Sequence, residues 1–271
     1  MPKRELNAIV SQRIEIAPGL LILRVVPDGW ELPDFEPGQF AVLGLYGSAP
    51  RCDLSDLEDD PPPPDQFLRG TYSITSSSVS KEYLEFYIQL VRSGTMTPRI
   101  FALKPGDRLY LGPKFSGLFR LSSAPEDVHL VMVATGTGLG PYMSMLRTYL
   151  RCGSPRRYAI IHGARHSSDL GYRSELISLQ RLCDNFTYIP VVSKPEEEPV
   201  EWEGHVGYVQ DLWKSGALAD AWGFRPEPSN THIFLCGNPK MVDEMIALLR
   251  EEGFTEHTKK TPGQIHVEKY W

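Results

Sequence analysis

The chain has 271 residues, enough for two domains of ordinary size, and its 41% hydrophobic and 23% charged content is that of a soluble globular protein. A formal net charge of −6 argues against bulk nucleic-acid binding, and no run of about 18 apolar residues exists to span a membrane. The N-terminal Met1-Pro-Lys-Arg-Glu has basic residues but no apolar stretch behind them, so no signal peptide is expected.

The first 123 residues read as all-β. Apolar runs at 20–26, 40–45, 71–74, 83–91 and 108–111 are separated by turn signals such as Pro37-Gly38 and Lys104-Pro-Gly-Asp107. That rhythm predicts an antiparallel sandwich or closed barrel. Between two of these strands, residues 53–65 carry six acidic residues and the four prolines Pro61 to Pro64. This is an extended, solvated insertion, read as a surface loop in preference to a partner-docking element. Past a break at Ser122-Ser-Ala-Pro125 the pattern changes. Strands are predicted at 129–134, 158–162, 186–191, 231–236 and 264–268, and helices near 140–151, 172–182, 209–218 and 239–251. Such alternation predicts a parallel sheet wrapped by helices, an α/β domain over 124–271. The four cysteines (52, 152, 183 and 236) and seven histidines lack metal-ligand or iron–sulfur spacing. No metal is expected, and the cysteines read as free thiols in a reducing cytoplasm. His162 and His166, an i, i+4 pair, flank a predicted strand end.

Four stretches carry chemistry. Tyr72-Ser73 in a barrel strand offers a ring that can stack on a flat heteroaromatic and a hydroxyl that can reach its edge. Gly94-Thr95-Met96-Thr97 precedes a short helix over 98–102, with Thr97 as N-cap, and forms a phosphate cradle. The apolar run 130–134 ends in Thr135-Gly136-Thr137-Gly138-Leu-Gly140-Pro141, where backbone N–H groups at a helix start can meet a second phosphate. Cys236-Gly237-Asn-Pro closes a later strand, and Gly237 allows a ligand close to the sheet end.

The order Pro37-Gly-Gln-Phe40, Tyr72-Ser73, Gly94 to Thr97, Lys104 to Asp107, Thr135 to Pro141 and Cys236 to Pro239 resembles ferredoxin–NADP⁺ reductase. The ending Val267-Glu-Lys-Tyr-Trp271 looks like its bacterial branch. The resemblance implies an FAD-binding antiparallel β-barrel followed by an NADP-binding α/β domain. It implies that Tyr72 stacks on the isoalloxazine, that Ser73 lies near flavin N5, and that Gly94 to Thr97 hold the FAD pyrophosphate. Thr135 to Pro141 would hold the NADP pyrophosphate, Cys236 would sit near the nicotinamide, and Tyr270 and Trp271 would cover ring faces. NADPH would give hydride to the flavin, and single electrons would pass to ferredoxin or flavodoxin. The family's flavin strand usually reads Arg-x-Tyr-Ser; here Arg69 stands three places before Tyr72. In a regular strand that offset sends Arg69 to the opposite face. Either Gly70 permits a bulge that re-aims it, or another cation, such as Arg99, serves the pyrophosphate.

Arg165 after the second α/β strand, with Arg173 and Lys194 as helpers, favours a 2′-phosphate and hence NADPH over NADH. Asp169 is the counter-signal, read as a cap of the helix starting near 172. Arg147, Arg151, Arg156 and Arg157 form a basic group that could dock an acidic acceptor by transient electrostatic attraction. Two alternatives are an NADH-dependent reductase component of an oxygenase and an electron-transfer subunit of a larger complex.

Overall fold

The structure is a computed structural model and describes residues 4–269. Two compact units divide the chain. One comprises the chain up to Arg120 together with Gly140–Thr148, the other Leu121–Leu139 together with the chain from Tyr149 onward.

The first unit holds β1 (Ala8–Ala17), β2 (Leu20–Pro27), β3 (Phe40–Tyr46), β4 (Phe67–Ser73), β5 (Leu84–Gln89), α1 (Thr97–Ala102) and β6 (Arg108–Leu111). The strands form one antiparallel sheet in the order β4-β3-β6-β1-β2-β5. Just beyond β4, Ile74 bridges Phe86 and the Thr75 N–H donates to Glu85 O at 2.8 Å, joining the two outer strands into a barrel. Inside it pack Leu21, Leu23, Leu43, Ile74, Phe86, Ile100 and Leu109, all fully buried. The strand β1 was not anticipated. Its register slips between Val10 and Gln12 and again between Glu15 and Ala17. Each slip moves side chains to the other face, so the two-residue alternation that marks a strand is broken.

The second unit holds β7 (His129–Thr135), β8 (Tyr158–Ala164), α3 (Arg173–Leu182), β9 (Phe186–Val192), β10 (His205–Val206), α4 (Val209–Ser215), α5 (Ala217–Trp222), β11 (Thr231–Cys236), α6 (Pro239–Glu251) and β12 (Ile265–Glu268). Its six strands run parallel in the order β10-β9-β8-β7-β11-β12. Central β7 is apolar throughout because both of its faces are covered. The single helix expected at 209–218 is two, since Gly216 takes φ +81 and ends the first. The helix α2 (Gly140–Tyr149) follows the glycine loop in sequence, but its residues through Thr148 belong with the barrel. The Ser144 hydroxyl donates to Ser76 O at 2.7 Å, and Arg147 Nη1 donates to Thr75 O at 2.9 Å and to the Glu85 carboxylate at 2.6 Å.

The expectation of four free thiols is corrected here. Cys152 and Cys183 are bonded to each other, with Cα atoms 4.6 Å apart, while Cys52 and Cys236 are free. Cys183 caps the end of α3, and the packing of that helix brings it to Cys152, a juxtaposition invisible at a sequence separation of 31.

Candidate functional site

On the barrel, β3 and β4 pair without a break from Phe40↔Ser73 to Tyr46↔Phe67. No bulge re-aims Arg69. It shares the exposed face with Thr71, whereas Leu68, Gly70 and Tyr72 share the other. The Tyr72 ring folds back over Gly70, with its hydroxyl 2.8 Å from where a Cβ would stand. Glycine therefore occupies the position two before the tyrosine because the ring fills that space. Arg69 does not stand beside Tyr72. Burial pushes the Tyr72 phenol up, so it stays protonated and neutral.

The loop between β5 and α1 differs from expectation in one detail. Thr97 is the first helical residue and Met96 the N-cap; the Thr97 hydroxyl accepts from the Val91 N–H at 2.9 Å instead of capping. Three carbonyls of this loop are engaged by two arginines. Arg51 donates to Gly94 O at 2.8 Å and to Arg92 O at 3.0 Å, and Arg99 donates to Thr95 O at 2.8 Å. Among the described residues no peptide bond is cis. A trans peptide directs its N–H opposite to its carbonyl, so the N–H groups of Ser93, Thr95 and Met96 face away from the two arginines. That is the arrangement an anion needs. Arg99 itself is not available to a pyrophosphate: it is only 3% exposed and its guanidinium is held by Glu58, Thr95 O and Gly47 O.

In the α/β unit, β7 lies between β8, to which the chain proceeds, and β11, to which it returns later. The winding reverses there, and in such sheets the crevice at the strand ends is where ligands bind. Two glycine-dependent contacts build it. A Cβ on Gly138 would stand 2.3 Å from Cys236 O, and one on Gly237 (φ +138) 2.3 Å from the Thr135 hydroxyl. Asn238 N–H donates to that same hydroxyl at 2.9 Å, and the Asn238 side chain caps α6 by accepting from Lys240 N–H at 2.9 Å. Gly136 (φ +54), Thr137 and Gly138 form a short 3₁₀ turn at the crevice. These glycines let two strand ends approach each other, beyond admitting a ligand. Cys236 is fully buried and burial raises its thiol pKa, so it is an S–H group and not a thiolate at neutral pH.

Past β8, Arg165 is exposed and its guanidinium donates to Glu197 at 3.2 and 3.3 Å. His166 Nε2 lies 2.8 Å from the same carboxylate, and Lys194 Nζ 3.8 Å from its other oxygen. Hydrogen bonding to Glu197 raises the His166 pKa above its usual value. A carboxylate thus rests where three donors converge. Sequence reasoning missed Glu197; its signal was the run Glu196-Glu-Glu198 directly after Lys194-Pro195. Arg173, the first residue of α3, lies over the Trp202 ring at 4.8 Å. Asp169 does not cap α3, whose N-cap is Tyr172; it closes a tight turn with His166.

The basic group expected to dock an acceptor is largely committed elsewhere. Arg147 is tied to buried Glu85, Arg156 donates to Val128 O and Pro125 O, and Arg157 lies over Phe224. Only Arg151 of the four is exposed. His162 is buried against the Tyr188 hydroxyl. Tyr270 and Trp271 lie outside the described residues.

Residues 132–246 match the oxidoreductase NAD-binding domain family. The flavodoxin/ferredoxin–NADP reductase of Shigella flexneri is 32% identical over 88% of this chain and 88% of its own length. Ferredoxin–NADP reductase B of Sorangium cellulosum (strain So ce56) is 35% identical over 77% and 81%. The chain belongs to the ferredoxin/flavodoxin–NADP⁺ reductase family. Its fold matches a ferredoxin–NADP⁺ reductase from Neisseria gonorrhoeae with bound FAD and NADP, at a TM-score of 0.78, 23% identity and 97% coverage of each chain. The barrel and the parallel sheet are thus the FAD-binding and NAD(P)-binding units of a reductase, as the resemblance implied.

Proposed function

We propose the residue roles by which this chain serves as a flavin-dependent NADPH oxidoreductase. Bound FAD exchanges a hydride with NADPH and single electrons with ferredoxin or flavodoxin, and that chemistry is the cofactor's own. The observation that carries the reading is the glycine-lined crevice at the winding reversal between β7 and β11. There the backbone of Thr135 to Gly138 and Gly237 takes the NADP pyrophosphate, and Cys236 supplies an uncharged wall beside the nicotinamide. Arg165, helped by His166 and Lys194, takes the 2′-phosphate once Glu197 is displaced. A dianionic phosphate offers stronger, charge-assisted acceptors than one carboxylate. On the barrel, Tyr72 gives a neutral ring face for the isoalloxazine, Ser73 a hydroxyl for the N5 edge, and Gly94 to Thr97 the N–H groups for the FAD pyrophosphate.

The test is the visible spectrum of the purified chain with anaerobic titration by NADPH, NADH and a ferredoxin. A yellow protein bleached by NADPH and reoxidised by ferredoxin is expected; a colourless protein that binds neither flavin nor NADPH would overturn the assignment. Acceptor docking is proposed to be transient and electrostatic, as an acidic acceptor requires a local basic patch on a net negative chain. Among the described residues no helix is long and apolar enough to cross a membrane. A cytoplasmic location is part of the proposal.

A further inference from the structure

Residues 47–66, the acidic and proline-rich insertion, do not drift over the surface. Their base is closed by Gly47 N–H on Gln66 O at 2.8 Å and Ser48 N–H on Pro64 O at 3.0 Å. Their middle is fastened to the phosphate loop by Cys52 N–H on Pro98 O at 3.0 Å and Asp56 N–H on Arg92 O at 3.1 Å. Leu57 is 95% exposed, yet its neighbour Glu58 turns inward to 13%. There one Glu58 oxygen accepts from Arg51 Nη1 at 2.7 Å and Arg99 Nη1 at 2.8 Å, and the other from Arg99 Nη2 at 2.9 Å. The other Nη hydrogens of Arg51 go to the carbonyls of Gly94, Asp56 and Arg92, while its buried Nε has no partner, and those of Arg99 go to the carbonyls of Thr95 and Gly47.

We propose that Arg51, Glu58 and Arg99 form a brace by which the insertion fixes the peptide planes of the 92–96 loop for the FAD pyrophosphate, with Glu58 as the positioning residue. The inference rests on the assignment of that loop to the pyrophosphate. Its logic is geometric and electrostatic. Two rigid guanidinium forks hold the loop carbonyls of Arg92, Gly94 and Thr95, and this sets the N–H groups of the same peptides on the other side. Glu58 locks both forks at once through three charge-assisted bonds. Two guanidinium charges against one carboxylate leave a net positive charge behind the loop, which favours an anion in front of it. The chain needs such a device because Arg69 points away from the Tyr72 face and glycine stands where an arginine could have reached the ligand. A tolerated surface loop would not direct its carboxylate onto a buried arginine. The Arg99 hydrogen bonds, chiefly, hold the Glu58 carboxyl below the usual carboxylate range, so it is ionised at neutral pH.

The test titrates FAD and riboflavin, which has the ring but no phosphate, into the flavin-stripped full chain. Glu58→Gln is expected to weaken FAD about tenfold or more, since charge-assisted bonds that order the loop are lost, while riboflavin binding is unchanged. Equal losses for both flavins would show that Glu58 merely supports the barrel, and no FAD loss would show that the loop holds itself; either overturns the brace. Gly94→Val probes the loop directly and should also cost FAD alone. If it does so while Glu58→Gln does not, the loop assignment stands and the brace falls. If Gly94→Val leaves FAD binding intact, the loop assignment fails and the brace with it. Should Glu58→Gln not fold, Arg51→Lys keeps the charge but loses the fork. It should give a smaller loss in the same FAD-specific sense, and absence of that loss overturns the proposal.

Discussion

Single residues in this chain do two jobs where sequence shows one. Gly138 and Gly237 read as room for a ligand, but each is first required by a strand end at van der Waals range. Arg165 reads as a phosphate reader, yet its guanidinium is held by Glu197. Arg165→Ala should therefore raise the KM for NADPH about tenfold, less than the full worth of a charged hydrogen bond, because a competing carboxylate must be displaced. The KM for NADH should stay put, and equal shifts for both nucleotides would remove Arg165 from the 2′-phosphate. Tyr72→Ala should yield partly colourless protein, since a stacking face worth about 0.5–1.5 kcal/mol beyond its buried area is lost. Full flavin occupancy with an unaltered spectrum would place Tyr72 away from the ring. Cys236 is a protonated, buried S–H, so Cys236→Ser should lower kcat with little change in nucleotide KM; an unchanged kcat when hydride transfer limits turnover would leave it a packing residue.

At the scale of elements, α2 is the instructive case. Arg147 and Arg151, one turn apart in the helix expected over 140–151, look like a docking surface, but α2 ends at Tyr149 and the structure assigns Arg147 to a buried pair. Glu85 is 1% exposed and lies between Arg147 at 2.6 Å and Arg24 at 2.6 Å. Arg147→Glu should destabilise the barrel unit by about 3–5 kcal/mol, the usual effect of stranding a buried charge. Thermal unfolding reads this directly, and a melting temperature within a degree or two of wild type would return Arg147 to the surface. Arg151 is the residue on which to test docking. The strand β1 and the split of α4 from α5 teach the same lesson, since a register slip and a left-handed glycine are decided by neighbours in space.

Over the whole molecule, buried histidines tie stability to pH. His232 Nδ1 lies 2.9 Å from His266 Nε2, His266 stacks on Phe234 at 4.3 Å and on His257 at 4.6 Å, and Ser123 lies 3.1 Å from His266 Nδ1. Burial pushes His266 down to about 3 and His162 to about 4, and lowers His232. A folded pKa below the unfolded 6.5 means that the unfolded chain binds protons first. The contribution is thus complete above pH 6.5 and is lost as pH falls toward the folded values. Denaturant unfolding from pH 7 to 5 should show stability declining by about 1.4 kcal/mol per pH unit for each such histidine once below 6.5. A flat profile would mean that the cluster opens before it titrates. Reduction of a protein acceptor should slow steeply with salt, as exposed charges are screened over about 8–10 Å at 0.1–0.15 M. Salt-independent rates would refute electrostatic docking.

Local signals were enough for the architecture. Apolar runs, their spacing and the glycine turns specified an antiparallel sandwich or barrel followed by a parallel α/β sheet, the family resemblance chose the barrel, and the runs placed β7 to β9, β11, α3 and α6 within a few residues, because buried strands and amphipathic helices are written in periodicity. The motif stretches were equally legible, since Tyr72-Ser73, 94–97, 135–141 and 236–239 are contiguous. What depends on residues far apart in the chain was not. The Arg51–Glu58–Arg99 brace, the Glu197 carboxylate on Arg165, the Arg147–Glu85 pair and the Cys152–Cys183 bond each join segments that only packing brings together. Charge and sulfur carry no periodicity that names a partner. Whether an arginine meets a ligand, a carboxylate or solvent was therefore decided by the tertiary structure alone.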